Sequence, residues 1–510
     1  MNIHQLNVFR VLDLPGSATP QQISRQAQRL SMLQRLGTEI PNNSLLPFAN
    51  PPDHEAIREA THRIRDPETR IVDELFWLWP MSPETSDGDE ALELLRQQDH
   101  EGAVRLWRQA DEAGHHDSVP CHNLAVFYHL LAIESELGVS SQVRLSKGKR
   151  SQILTYWRES LTCWHRLCTS DAFWEQLGGR IRKLDDPRLT TGTARRIRAD
   201  LPRTLLWMNA TLAAHAVQSG DRQRARDHVT LIRETNFDTD VATEVLRQTA
   251  SPYRERIKAA CAAAEKETDE EPEGGEAVAL RLLDETKSQL AVIDQLLPSG
   301  DPVRETAHDE VAVTLMRCQI GFANKTDKWK ESIALLEQAL AIAESASMQQ
   351  KIKENLEICR GNLEYANCWF CKEEPAEDSA ALKVDMHEIT ARIPIYGGTR
   401  VEYRSVSVRV PRCEACRSAH TVPGVSAALA GIVGGVLGVG SCAAVASANS
   451  DAVGVGWALL GGFVVCFAVA GYSVGRLKHP LVRPESAKND FPAIRKLRDE
   501  GFSFGAKPTG

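Results

Sequence analysis

The chain has 510 residues, 42% hydrophobic and 25% charged, with a formal charge of −8 at neutral pH. That length suits about three domains. The acidic balance, with no long basic run to offset it, argues against a general nucleic-acid binder, so no nucleic-acid partner is expected. The opening MNIHQLNVFRVLDLPG lacks the apolar core of a secretory signal, which places the N-terminal part in the cytosol. Eight of the twelve cysteines are scattered through helical or apolar segments and four form two CxxC pairs. This usage suits a reducing compartment and a metal.

Residues 1–80 read as a first helical unit. A short apolar turn in NVFRVLDLPG is followed by a helix from Thr19 to Leu36, with Thr19 as cap before Pro20. The Pro- and Asn-rich GTEIPNNSLLPFANPPD is a loop, and a further helix spans His54 to Ile64. The last helix starts sharply. Asp66 is placed to cap its free amides and Pro67 fits a first helical position, while Ile71, Leu75 and Leu78 recur at helical spacing. It ends in Phe76, Trp77 and Trp79, an apolar cluster suited to packing this unit onto the helical body.

These elements resemble the J-domain family of co-chaperones. NVFRVLDLPGSATPQQI is similar to the family's short opening helix and small-residue turn, and REATHRIRDPETRIVDEL to the end of its third helix with an L-x-D-P-x-x-R element. The resemblance covers about 75 of 510 residues and implies a helical head that engages a DnaK-type chaperone ATPase. The chain departs from the family at its working element. The loop between the second and third helices holds no His-Pro-Asp, only Pro52-Asp53-His54, and the second helix is sparsely basic, with Arg25, Arg29 and Arg35.

Residues 88–264 read as helical throughout, with tetratricopeptide-like alternation of small and large apolar residues in EGAVRLWRQA and CHNLAVFYHLLA but no countable period. Trp157, Trp164, Trp174 and Trp207 sit in apolar stripes and are expected in the core. The cluster His115, His116, Asp117, Cys121 and His122 reads as a polar loop between helices rather than a ligand set. Residues 265–277, EKETDEEPEGGEA, read as an acidic, flexible linker. Residues 278–364 are again tetratricopeptide-like, with Ala334, Ala339 and Leu340 suited to close helix packing.

Residues 365–420 carry the strongest local signal. Cys368 and Cys371 in CWFC, and Cys413 and Cys416 in CEAC, bring four thiolates to two knuckles, the complete ligand set of a structural Zn²⁺. The 41 residues between the pairs contain two strand patterns, with a slip at Ser405 that suggests a bulge. The expected fold is a zinc ribbon with a longer insert than usual. A dithiol redox site would leave the second pair without a role. His387 and His420 read as surface residues rather than ligands.

Between Ser418 and Gly475 the only charged residue is Asp451. Two apolar stretches within 424–476, each about 36 Å long as a helix, can cross a hydrocarbon core of about 30 Å as a hairpin. Their glycines, Gly431, Gly435 and Gly438 in the first and Gly471 and Gly475 in the second, would let helices approach closely in lipid and offer a face for oligomers. Arg412, Arg417, Arg476, Lys478 and Arg483 flank the pair, which puts both termini in the cytosol. In the tail, 477–510, Phe491, Ile494, Leu497, Phe502 and Phe504 form an apolar set that would lie on the membrane surface or fold back onto the ribbon.

The expected fold class is therefore mainly α: a J-like head, a helical-repeat body, a small β zinc ribbon and a two-helix transmembrane hairpin. No phosphate-cradling loop, nucleophile elbow or credible carboxylate pair points to an enzyme. The expected role is a membrane-anchored adaptor that binds partner proteins, with a co-chaperone that recruits a DnaK-type ATPase as the alternative.

Overall fold

Side-chain caps set the boundaries of the N-terminal helices. The computed structural model describes residues 3–36, 44–48, 52–81, 89–113, 118–138, 146–190, 192–395, 398–418, 420 and 490–508. His115, His116, Asp117 and the hairpin expected over 424–476 lie outside the described residues. Among the described residues no helix is long and apolar enough to cross a membrane. The protein is mainly helical with one small antiparallel sheet, and it divides into two units: residues 1–260 with 284–307, and residues 261–283 with 308–510.

The first unit opens with α1 (Val8–Val11), α2 (Pro20–Arg35), α3 (His54–Arg63) and α4 (Pro67–Leu75). Asn7 accepts from the amides of Phe9 and Arg10, Asp53 from that of Ala56, and Asp66 from that of Thr69, with Pro67 in the first turn. Each cap satisfies amides that a helix start leaves free. The bundle closes around Asp73, fully buried on α4, whose carboxylate accepts from the Val8 amide at 3.1 Å and faces Arg63 at 3.5 Å.

The segment after α4 joins these helices to the body of the unit. Phe76, Trp77, Leu78 and Trp79 are all buried. The Phe76 ring lies 5.1 Å from that of Trp164, and Trp79 sits 4.1 Å from His122 and stacks on Phe173 at 5.6 Å. The indole N–H groups of Trp77 and Trp79 donate to the carbonyls of Leu14 and Glu74. The aromatic cluster is thus a joint within one unit.

The body contains α5 (Glu90–Arg96), α6 (His100–Glu112), α7 (Val119–Leu137), α8 (Lys147–Thr169), α9 (Asp171–Leu184), α10 (Thr193–Gln218) and α11 (Arg222–Glu234). Successive helices pack in pairs, α5 on α6, α7 on α8 and α10 on α11, a helical-repeat-like arrangement. Ala132, Ile133, Ile153, Trp157 and Leu231 form a core that ties α7, α8 and α11 together. Trp157, Trp164 and Trp174 are buried as their stripes require, but Trp207 is 43% exposed. On α10 the buried stripe runs through Leu201, Leu205, Leu206, Asn209, Ala210 and Ala213, and Trp207 falls beside it. Cys121 and His122 are not in a loop: they occupy the first turn of α7 and are buried.

Three long helices follow: α12 (Thr239–Glu270), α13 (Gly275–Leu296) and α14 (Pro302–Thr326). The acidic segment 265–277 is therefore no flexible linker but a helix end, a 3₁₀ turn at Pro272–Gly274 and a helix start. Its charges are used. Glu265 and Asp269 both bind Arg317, at 2.9 and 2.8 Å, and Glu267 pairs with Arg281. Thr268 is buried and donates to the Ala264 carbonyl. A Cβ on Gly275 would lie 2.4 Å from the Cys318 carbonyl oxygen, so glycine is what lets α13 start against α14.

The second unit continues through α15 (Trp329–Ile342) and α16 (Ala346–Ala366), which pack on each other and bury Leu335, Leu336, Ala339, Ile352 and Leu356. Strands β1 (Leu382–Ile395) and β2 (Gly398–Val410) then form an antiparallel hairpin. The register shift lies between Ile389 and Ala391 on β1, not at Ser405, which pairs regularly with His387. The two strands carry similar alternation, so sequence alone does not say which one takes the extra residue. The tail returns to this hairpin: α17 (Pro492–Asp499) and β3 (Ser503–Phe504) follow, and β3 pairs with β1 at Met386 and His387.

Candidate metal centre

Helix α16 delivers the first knuckle directly: it ends at Ala366 and Cys368 follows Asn367, its C-terminal cap. The chain then turns back within a few residues. The Lys372 amide donates to the Cys368 carbonyl and the Cys368 amide to the Glu374 carbonyl, both at 2.8 Å. Lys372 has φ +59°, the left-handed conformation that reverses the backbone after Cys371. Its ammonium lies 4.2 Å from the Trp369 ring centre.

The second knuckle is brought up by β2. After Val410, the Pro411 carbonyl accepts from the Trp369 amide at 2.9 Å, which locks the two knuckles together. Arg412 donates from Nε to the Ala380 carbonyl at 2.6 Å. Residues 414–418 are helical, so the Cys416 amide turns inward and donates to Cys413 Sγ at 3.4 Å.

The four sulfurs of Cys368, Cys371, Cys413 and Cys416 all lie within 4.8 Å of one another. The Cys371 and Cys413 sulfurs are 3.9 Å apart. A tetrahedral ion with bonds of about 2.3 Å to sulfur sets its ligands about 3.8 Å apart, so the set fits such an ion. Cys368, Cys413 and Cys416 are buried and Cys371 is half-buried. Burial raises the Cys368 thiol, but the amides of Cys371, Cys413 and Phe370 outweigh it and bring the group down to about 7. Cys416 moves up, through burial and the nearby Cys413 and Cys368 sulfurs. Four thiolates cannot share this space without a cation, which is the chemical reason the set fits a metal.

The two nearby histidines have other partners. His387 is buried and its Nδ1 hydrogen-bonds the Gly505 carbonyl at 2.9 Å. It is a joint between sheet and tail rather than a surface residue. His420 packs edge-on to Phe370 at 4.5 Å and pairs with Arg412, and burial and then that guanidinium push it down to about 4.

The tail supplies a wall that local spacing does not reveal. Phe491, Ile494 and Phe502 are buried with Val384, Met386 and Val410, and Trp369 and Phe370 of the first knuckle pack against this core. The Phe491 ring lies 5.2 Å from that of Trp369. Of the two placements open to the apolar tail, the structure shows the second. No protein-family profile, curated protein or solved structure matches this chain.

Proposed function

We propose that this protein is a membrane-anchored, cytosol-facing adaptor that binds partner proteins through its helical surfaces, with Zn²⁺ as the structural ion of the four-cysteine centre. In this reading α1–α4 form a J-like head, the paired helices are tetratricopeptide-like, and the cysteine knuckles with β1 and β2 form a zinc ribbon. Residues 424–476 form a transmembrane hairpin with both termini cytosolic. The observation that carries it is the four-sulfur cluster, whose ligands fill a tetrahedral sphere and leave no open position for catalysis. The cluster follows directly on α16, which packs on α15 as a repeat pair does.

The reading favours an adaptor over a chaperone-recruiting head because of Asp53. It is the aspartate nearest in place to the missing His-Pro-Asp, and one of its carboxylate oxygens caps α3 by accepting from the Ala56 amide at 2.7 Å. The test is a pull-down of the detergent-solubilised protein with ATP and with ADP. Recovery of partners that do not change with nucleotide is the expected result. Nucleotide-dependent capture of a DnaK-type ATPase would replace the adaptor reading by the co-chaperone one.

A further inference from the structure

A cleft of about 360 Å³ opens in the first unit where the start of α2, the α3–α4 junction and the segment after α9 converge. Its charged walls are Arg65, Arg70, Arg188 and Asp186; its apolar walls include Ile23, Ile64 and Leu184. Asp186 neutralises Arg188 through contacts of 2.7 and 3.0 Å. Arg65 and Arg70 make no ion pair within 4 Å among the described residues, although Glu74 acts on Arg70 from farther off. The lining is thus three cations against one anion.

Arg70 is the decisive residue. It is 7% exposed, and one of its guanidinium nitrogens donates to the Ala18 carbonyl at 2.7 Å. Its Nε is buried and has no hydrogen-bond partner among the described residues. The neighbouring Glu74 is bound by Arg180 instead. A buried guanidinium N–H without an acceptor is costly, and burial, opposed by Glu74 and reinforced by Arg180, pushes the group down. From Arg180 to Arg203 the chain carries eight basic and three acidic residues, but Arg180, Arg196 and Arg198 are paired with Glu74, Glu68 and Asp171, so the charge of the site rests on its own lining.

We infer that this cleft binds a small organic phosphate monoester, the dianion meeting Arg65, Arg70 and Arg188 and the organic part lying on Ile23, Ile64 and Leu184. The lining holds more positive than negative charge, which suits an anion, with Glu74 and Asp66 acting on Arg70 and Arg188 from outside it. Arginine forks suit phosphate oxygens, and the volume lies at the lower end of small-ligand sites, about 300 Å³ and above. The inference is independent of the adaptor reading: it uses only side chains of the first unit.

The probe is phenyl phosphate, titrated calorimetrically into the detergent-solubilised full chain beside inorganic phosphate and phenylmalonate. Saturable binding of phenyl phosphate at least tenfold tighter than either comparator is expected. Replacing the two exposed arginines together, Arg65→Ala with Arg188→Ala, should weaken it at least tenfold while leaving the unliganded melting temperature in place. Arg70→Lys, which keeps the charge and loses the fork, should weaken it as well. Absence of saturable heat, equal affinity for inorganic phosphate, preference for phenylmalonate, or binding retained by the double variant overturns the inference.

Discussion

Trp79 and Asn123 hold each other through two reciprocal hydrogen bonds: the Trp79 amide donates to Asn123 Oδ1 at 2.8 Å, and Asn123 Nδ2 donates to the Trp79 carbonyl at 2.7 Å. Both residues are fully buried. The side-chain amide of α7 thus acts as a strand-like partner for a segment that has no sheet of its own. Asn123→Ala leaves a buried donor and acceptor unmet and should cost about 2–4 kcal/mol in chemical denaturation. Replacing Trp77 and Trp79 by Ala should free the N-terminal helices to limited proteolysis. Unchanged protease resistance in that double variant would remove the joint as an explanation of the aromatic run.

Removal of the proposed Zn²⁺ is expected to act locally. One tightly held Zn²⁺ per chain should be found by elemental analysis, with no thiol among the four cysteines open to alkylation. Cys413→Ser should lose the ion and expose the hairpin and tail to protease, because Trp369 and Phe370 belong to both the knuckle and the tail core. A chain that retains full tail protection after chelation would show the centre to be dispensable for the ribbon.

Acid should loosen the first unit through buried imidazoles. His122 and His129 are held neutral by burial, in His122 against the opposing pull of its bond to the Leu75 carbonyl, and both are pushed down to about 3. Unfolded, they titrate near 6.5. Their folded values are depressed, so the stability tied to their neutral forms is present above about 6.5 and declines as pH falls toward 3. At pH 5 each is expected to have lost about 2 kcal/mol. Asp73 works in the opposite direction: burial raises it to about 6 against the pull of the Val8 amide and Arg63. Its contribution is complete below about 4 and is lost as pH rises through 6. Denaturation midpoints between pH 7 and 5 should therefore fall, and fall more steeply in Asp73→Asn, which lacks the offset.

Two glycines should respond with opposite signs. Gly275→Ala drives a methyl group into the Cys318 carbonyl and should destabilise the second unit by about 1–3 kcal/mol. Gly361 lies inside α16 with nothing within 4 Å of a Cβ, so Gly361→Ala should stabilise by about 0.4–1 kcal/mol. Thermal denaturation of the pair checks both signs in one experiment.

What could be read from the sequence was local. Asp66-Pro67 starts a helix wherever it stands before an apolar stripe, and two CxxC pairs converge because their chemistry leaves few alternatives. The misreadings that matter most here involve distant partners. The acidity of residues 265–277 suggests solvent until Arg317 and Arg281 are seen to meet it. Trp207 looks internal until the neighbours of α10 select a different stripe. The arginine-lined cleft joins Arg65 and Arg70 to Arg188, more than a hundred positions away, and no local pattern announces such a meeting.

The return of the tail to the ribbon constrains the route of the chain. Cys416 belongs to the four-sulfur cluster, and Phe491 is buried against the same small module, in contact with Trp369. Cys416 and Phe491, with 74 residues between them in sequence, are therefore held in one place. A membrane hairpin of the kind proposed would have to begin and end on the same side of the bilayer. That constraint would rest on the docking of Phe491 alone and owe nothing to the arginines and lysine that flank the apolar stretches.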